Sequence, residues 1–452
     1  MTWLQSSCLL GLFLSAPSLA QDEPAEEVPA SAEVPASAEV PAPAEVPAPA
    51  EVPAPADETL TEDDQERVTG KKPPPLPETP QSAHKEYVEP EEGDRPYPNS
   101  CYRGAEALAL DPQYVYEVQK GLVMLFLRDY EGARDHFEKV DKAFPATGVS
   151  GVADVLVWQA LMLENFDFRF DDQYWVSSKA ARADLEEALD NPGNEGWEHF
   201  LMAGVVGIES IHTMRQSKFL GALQLAFSAM DHIQKTRELV PDYIDVQLAD
   251  GMYNYWRTVI TLNSKILPDF GDHRVEGLEQ MKDVERTGIF LSEPATLSLA
   301  FSWLEEGNLR EASSSCIRNQ RKFPKNIINN LVTGTTFIYM RRYASAIGAF
   351  DAILTEDPTN KRVRYWKGVA LLRNGKLAEA EAEFKKYIAF EYMEDYQRSN
   401  AYYRLGQVYY RQKKYTDSYN AYKQAVQLNK HKGSKEALDR MKDRKSQGKI
   451  DY

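Results

Sequence analysis

The residues able to do chemistry are few and badly placed for it. Ser82 and Lys85 have the spacing of a Ser-x-x-Lys pair, but they lie in a proline-rich stretch with no scaffold to preorganise them. His199 and His212 fall on one expected helix, too far apart to chelate a single ion together, and read as core or surface histidines. The carboxylate pairs Asp171-Asp172, Glu186-Glu187 and Glu305-Glu306 read as ordinary solvated charges. Of three cysteines, Cys8 sits in the leader, and Cys101 and Cys316 are expected as two free or partly buried thiols. The sequence has no His-Glu-x-x-His, Gly-x-Ser-x-Gly, phosphate-cradling glycine loop or Cys-x-x-Cys. The expectation is a chain with no catalytic site, no bound metal and no cofactor.

Charge narrows the classes further. Residues 21–100 contain 20 Asp or Glu against 5 Lys or Arg, so nearly all of the net charge of −17 belongs to that stretch. The rest is close to neutral and presents no basic face, which argues against nucleic acid as a partner. The same stretch holds most of the 26 prolines, and Glu-Val-Pro-Ala recurs in it every six residues from Glu27. Polyproline II repeats every three residues, so a period of six returns each glutamate to one side of the rod. Residues 21–100 are therefore read as a disordered acidic linker, either a spacer through a walled compartment or a solubilising tail.

Ahead of it, residues 3–16 form an apolar run too short for a stable bilayer span of about 20 residues. Ser18-Leu19-Ala20 then offers the small residues a signal peptidase reads, so residues 1–20 are expected to be a secretory signal. The absence of Lys or Arg before the apolar run leaves an uncleaved, weak anchor as the alternative. An exported protein, periplasmic or associated with the outer membrane, is the expected setting.

The body is periodic. Ala300, Gly334 and Gly368 stand 34 residues apart. Leu309, Tyr343 and Leu377 follow nine residues on, Ala312, Ala346 and Ala380 twelve on, and Cys316, Phe350 and Phe384 sixteen on. Gly121, Ala133, Phe137 and Pro145 repeat these offsets near the start of the body. Gly406, Ser418 and Tyr422 repeat them near its end. Between residues 151 and 293 the pattern is degenerate, with NSKILPDFGDH, residues 263–273, as the clearest insertion. The fold expected is all-α: about eight antiparallel helix pairs, degenerate over 101–293 and regular over 294–429, closed by a basic capping helix and tail over 430–452. Ser434 is the expected cap of that last helix, and Asp272 of the helix starting near His273.

These offsets resemble the tetratricopeptide repeat, in which a small residue, an alanine and an aromatic mark the crossing of two helices. DGMYNYW, residues 250–256, with GDHRVEGL, residues 271–278, adds a fainter resemblance to bacterial envelope repeat proteins and to the inclusion-body clearance family. The tetratricopeptide resemblance implies a concave face lined by the first helix of each pair. On the last two pairs it places Arg362, Tyr365, Val369, Leu372 and Arg373, then Asn400, Tyr403, Gln407, Tyr410 and Arg411 there. Of these, Arg362, Tyr365, Arg373, Asn400, Tyr403, Gln407, Tyr410 and Arg411 are the candidate partner-binding residues. The Lys and Asn set with which chaperone-binding members clamp a terminal carboxylate is not reproduced.

The function expected is a non-enzymatic scaffold of the cell envelope that binds a protein or peptide. The alternative is an accessory subunit for lipid or polysaccharide handling, with an apolar pocket among the middle repeats. Membrane contact would come through an uncleaved leader or the basic tail.

Overall fold

The computed structural model describes residues 95–145, 148–190, 192–216, 218–262 and 271–452. The expected signal, nearly all of the acidic linker, Ser82 and Lys85, and Pro268 in the insertion lie outside them. Among the described residues the fold is all-α. Helix α1, Asn99–Leu108, opens two residues inside the stretch assigned to the linker. Eight pairs follow: α2 Pro112–Phe126 with α3 Tyr130–Ala143, α4 Val149–Asn165 with α5 Asp171–Asp190, α6 Glu195–Arg215 with α7 Phe219–Leu239, and α8 Val246–Leu262 with α9 Arg274–Thr287. The regular part comprises α10 Ser292–Glu305 with α11 Leu309–Lys322, α12 Ile327–Tyr339 with α13 Tyr343–Glu356, α14 Lys361–Arg373 with α15 Leu377–Ile388, and α16 Asp395–Arg411 with α17 Tyr415–Asn429. Helix α18, Lys432–Ser446, closes the array.

The repeat offsets have a direct steric cause. A Cβ added at Gly121, Gly334, Gly368 or Gly406 would stand 2.4, 2.3, 2.8 or 2.6 Å from the ring of Phe137, Phe350, Phe384 or Tyr422, in each case sixteen residues later. The aromatic ring of the second helix abuts the bare backbone of the first, which only glycine permits at that distance. Ala133, Ala312, Ala346 and Ala380 are fully buried at the crossing. Ser418 takes that place in the last pair, its hydroxyl donating to the Gly406 carbonyl at 2.8 Å. The glycines of the 250–278 segment serve the same end: a Cβ on Gly277 would meet the Gly251 carbonyl oxygen at 2.5 Å, so α8 and α9 cross backbone to backbone.

Turn chemistry repeats too. Seven residues after the small position the backbone is left-handed in five pairs: Arg128, Gly307, Arg341, Gly375 and Lys413 have φ of 67°, 72°, 58°, 77° and 60°. Helix starts are capped by Asp111, Asp129, Asn194, Asn308, Asn326 and Asn360. Two expected caps are corrected. The N-cap of α18 is His431, whose Nδ1 accepts from the Ser434 amide at 3.0 Å, because the helix begins two residues before that serine. His273 is the N-cap of α9; Asp272, one residue earlier, accepts the Arg274 amide at 3.1 Å and grips the Arg274 guanidinium.

The array winds tightly enough for successive turns to touch. The Asn326 side chain donates to the Phe126 carbonyl at 2.9 Å, and Phe126 packs on Phe323 with ring centres 5.2 Å apart. Asn360 donates to the Glu164 carbonyl at 3.2 Å, the Lys361 amide to Asn165 Oδ1 at 3.1 Å, and Gln397 to the Phe166 carbonyl at 2.9 Å. Thus the end of α2 meets the start of α12, and the end of α4 the start of α14. Gln397 carries the contact on to the start of α16, so the offset is ten to twelve helices, or five to six pairs.

Candidate functional site

Among the middle pairs, an aromatic cluster occupies part of the buried core. Trp197 on α6 stacks on Phe200 and donates its indole N–H to Tyr114 Oη at 3.1 Å. Phe200 meets Tyr243 edge-on, and Phe290 closes over Trp197. Asp245 sits fully buried beside them, accepting from the Ile289 and Phe290 amides at 2.8 and 2.7 Å and from the Tyr243 hydroxyl at 3.1 Å. Burial pushes its carboxyl up to about 6 against those three bonds.

The sequence-derived histidines do not meet. His212 is fully buried, held by Gln159 and Asp171 and stacked on Tyr174, and burial lowers its pKa to about 4. His199 instead reaches His232 on α7, with Nδ1 atoms 2.8 Å apart. Cys101 and Cys316 are both buried free thiols. Among the described residues no group of three or more His, Cys, Asp or Glu could hold a metal, and no helix is long and apolar enough to cross a membrane.

Two carboxylate pairs differ from the solvated charges expected. Asp171 binds His212 and Gln216. Glu306 belongs to a buried network: Arg274, fully buried, donates to it at 3.0 Å and to Asp272 at 2.8 Å, while the Tyr255 hydroxyl donates to it at 2.9 Å. Glu186, paired with Arg182 at 3.6 Å, and Glu187 and Asp172 are exposed, as expected.

The inner-face candidates divide by what already engages them. Arg362 holds one turn of the array to the next, donating to the Leu163 carbonyl at 2.9 Å over the Phe166 ring. Burial and the neighbouring Arg215 charge lower its pKa to about 9. Tyr403 is buried between Tyr422 and His431 because α18 occupies the place a further pair would take. The others remain partly or fully exposed. Tyr365 leans on Tyr387 and Phe384; Arg411 donates to the Leu372 carbonyl at 3.1 Å; Gln407 accepts from Arg404 at 3.0 Å. Tyr410 packs edge-on against Tyr415, and Asn400 on α16 and Arg373 on α14 are half-buried.

Sequence reasoning missed two members of this face. Glu305 and Tyr339 end α10 and α12 five residues after Ala300 and Gly334, the same position as Arg373 and Arg411 after Gly368 and Gly406. The 34-residue period would have found both.

Models of the tetratricopeptide repeat match residues 331–395 and, separately, 399–432. These residues are tetratricopeptide repeats. Repeats of this kind generally mediate contact between proteins and are generally non-catalytic. Among curated proteins the chain is 28% identical over 122 residues to ER membrane protein complex subunit 2 of Xenopus tropicalis and to subunit 2-B of Xenopus laevis. Each match covers 27% of this chain and 40% of the relative's own length. Among solved structures it is similar to a tetratricopeptide repeat protein from Parabacteroides merdae, at 16% identity over 63% of this chain and 98% of that one, with a TM-score of 0.37. It is also similar to yeast Tom70, at 13% identity over 78% and 86% of the respective chains, with a TM-score of 0.38.

Proposed function

We propose that the tetratricopeptide array is a non-enzymatic scaffold of the cell envelope that binds a protein or peptide along the inner face of its last regular repeats. The supporting observation is the division of that face. Arg362 and Tyr403 serve the fold, whereas Tyr365, Arg373, Asn400, Gln407, Tyr410 and Arg411 keep exposed surface. Tyrosine and arginine combine apolar area with directional donors, the combination that carries most binding energy at protein interfaces. The envelope setting rests on the expected signal and the acidic spacer behind it.

The test is site-specific crosslinking in the full chain. A photoreactive residue at Gln407 should capture a partner that the same residue at Lys423, exposed on the outer helix α17, does not. Adducts should disappear when Arg373 and Arg411 are both replaced by alanine at unchanged melting temperature. Equal capture from Lys423 would place binding elsewhere. Fractionation with N-terminal sequencing tests the setting, and mature protein beginning at Gln21 is the expected result.

A further inference from the structure

Helix α7 turns an apolar face to solvent. Its inward stripe is Ala222, Ala229, Ile233 and Thr236, all buried. On the opposite side Leu220, Leu223 and Phe227, at spacing i, i+3 and i+7, are 80%, 48% and 52% exposed. Residues so spaced stack on one side of a helix, so the three side chains make one patch. They present on the order of 400 Å² of apolar surface, the scale at which a patch on a monomer marks an interaction site. Further along, the same face is polar: Asp231, Gln234, Lys235 and Glu238 are all exposed.

Charge on this helix selects the occupant. Lys235 and Glu238 answer each other within α7 at 3.2 Å. Lys218, at the N-cap, donates to Gln216 Oε1 at 2.7 Å, and neither it nor Asp231 enters an ion pair among the described residues. The apolar patch is thus bracketed by a cation upstream and an anion downstream, each without a counter-charge. An antiparallel copy of α7 supplies the reverse order. With a two-fold axis between Leu223 and Gln224, Leu220 faces Phe227 of the second copy. Lys218 then falls within about 3 Å, along the helix, of Asp231 of the second copy, at 1.5 Å of rise per residue. A parallel copy would instead set Asp231 against Asp231. We infer that the chain pairs with a second copy of itself through α7, antiparallel and two-fold symmetric. Patches of about 400 Å² on each copy supply the apolar part, about 60%, of an interface near 1,300 Å², within the range of stable complexes. As the second helix of its pair, α7 lies on the outer side of the array, so pairing leaves both inner faces open. A partner carrying two recognition segments would then bind with the avidity of both.

Sedimentation velocity on the full chain across a concentration series tests it. The mass should double and then reach a plateau. Leu223→Asp and Phe227→Asp should each raise the dimer dissociation constant at least about tenfold, because the two-fold axis makes each change count twice. Asp231→Lys sets like charges together at both ends of the patch and should weaken pairing at least about threefold. Adding Lys218→Asp to it exchanges the charges and should restore pairing. All four positions are exposed, so melting temperatures should stay unchanged, and where an apolar substitution lowers one, the charge exchange carries the test. A monomer at every concentration, a mass that climbs without a plateau, a dimer indifferent to both apolar substitutions, or a charge exchange that fails to restore pairing would each overturn the inference. So would a monomer that floats with vesicles of phosphatidylethanolamine and phosphatidylglycerol until Leu223 and Phe227 are replaced, which would give the patch to a membrane. Crosslinking at Gln407 is read separately, and its outcome leaves this one untouched.

Discussion

Asn360 and Glu164, 196 residues apart in sequence, are joined by a hydrogen bond from the Asn360 side-chain amide to the Glu164 carbonyl. The same asparagine caps α14, its Oδ1 accepting from the Val363 amide at 3.0 Å. One side chain thus starts a helix and fastens it to the previous turn of the array. Asn360→Ala should therefore cost more than Asn308→Ala, whose side chain caps α11 through the Glu311 amide. A cap alone is worth about 1 kcal/mol and the second bond about another 1. Urea denaturation of the two variants measures the difference, and equal losses would mean that the bond between turns adds nothing.

Gly368 and Ala380 test the crossing of α14 and α15. A methyl at Gly368 would stand 2.8 Å from the Phe384 ring, and Ala380 has no exposed surface. Gly368→Ala and Ala380→Leu should each destabilise by roughly 1–3 kcal/mol through overpacking, read as a lower midpoint in thermal or urea unfolding.

Lys413 invites the opposite change. Its φ of 60° is left-handed, and at the equivalent positions Gly307 and Gly375 carry no Cβ to clash. The left-handed conformation costs a side-chain-bearing residue about 1–2 kcal/mol, part of which glycine gives back in unfolded-state entropy. Lys413→Gly should accordingly raise stability by up to about 1 kcal/mol, visible as a higher melting temperature.

Two buried groups give stability opposite slopes with pH. The Glu305 carboxyl, raised to about 7 from 4.5, binds more protons in the folded chain than in the unfolded one. Its contribution is full below 4.5 and is lost as pH rises through 7. Glu305→Gln should match wild type near the acid end of that window and be at least as stable above it. His431, lowered by burial and by Arg404 to about 4 from 6.5, behaves in reverse: its contribution is full above 6.5 and is lost as pH falls through 4. Protonation removes the Nδ1 acceptor that caps α18, so acidification should release that helix first. The Tyr403 ring, 4.6 Å from His431, reports it by NMR.

The regular half was legible because one contact, small residue against aromatic, recurs at a fixed interval and leaves its mark each time. The helix pairs of the degenerate half followed from the same residue types in looser register. The bonds that join successive turns left no such mark: each occurs once, between residues about two hundred apart, and asparagine at a helix start already has a sufficient local explanation. Tyr403 was read as facing a ligand by analogy with an interior repeat, but the array ends there and α18 covers it. Glu306 was read with Glu305 as surface charge because nothing local in the sequence marks the acid that Arg274 and Tyr255 reach.

A helical spring lengthens when its coils separate, and open superhelical arrays accommodate large partners in that way. Here Asn326, Asn360 and Gln397 pin one coil to the next. Pulling on residues 95 and 452 would have to rupture these cross-links before any extension, so the molecule resists load as a washer stack does.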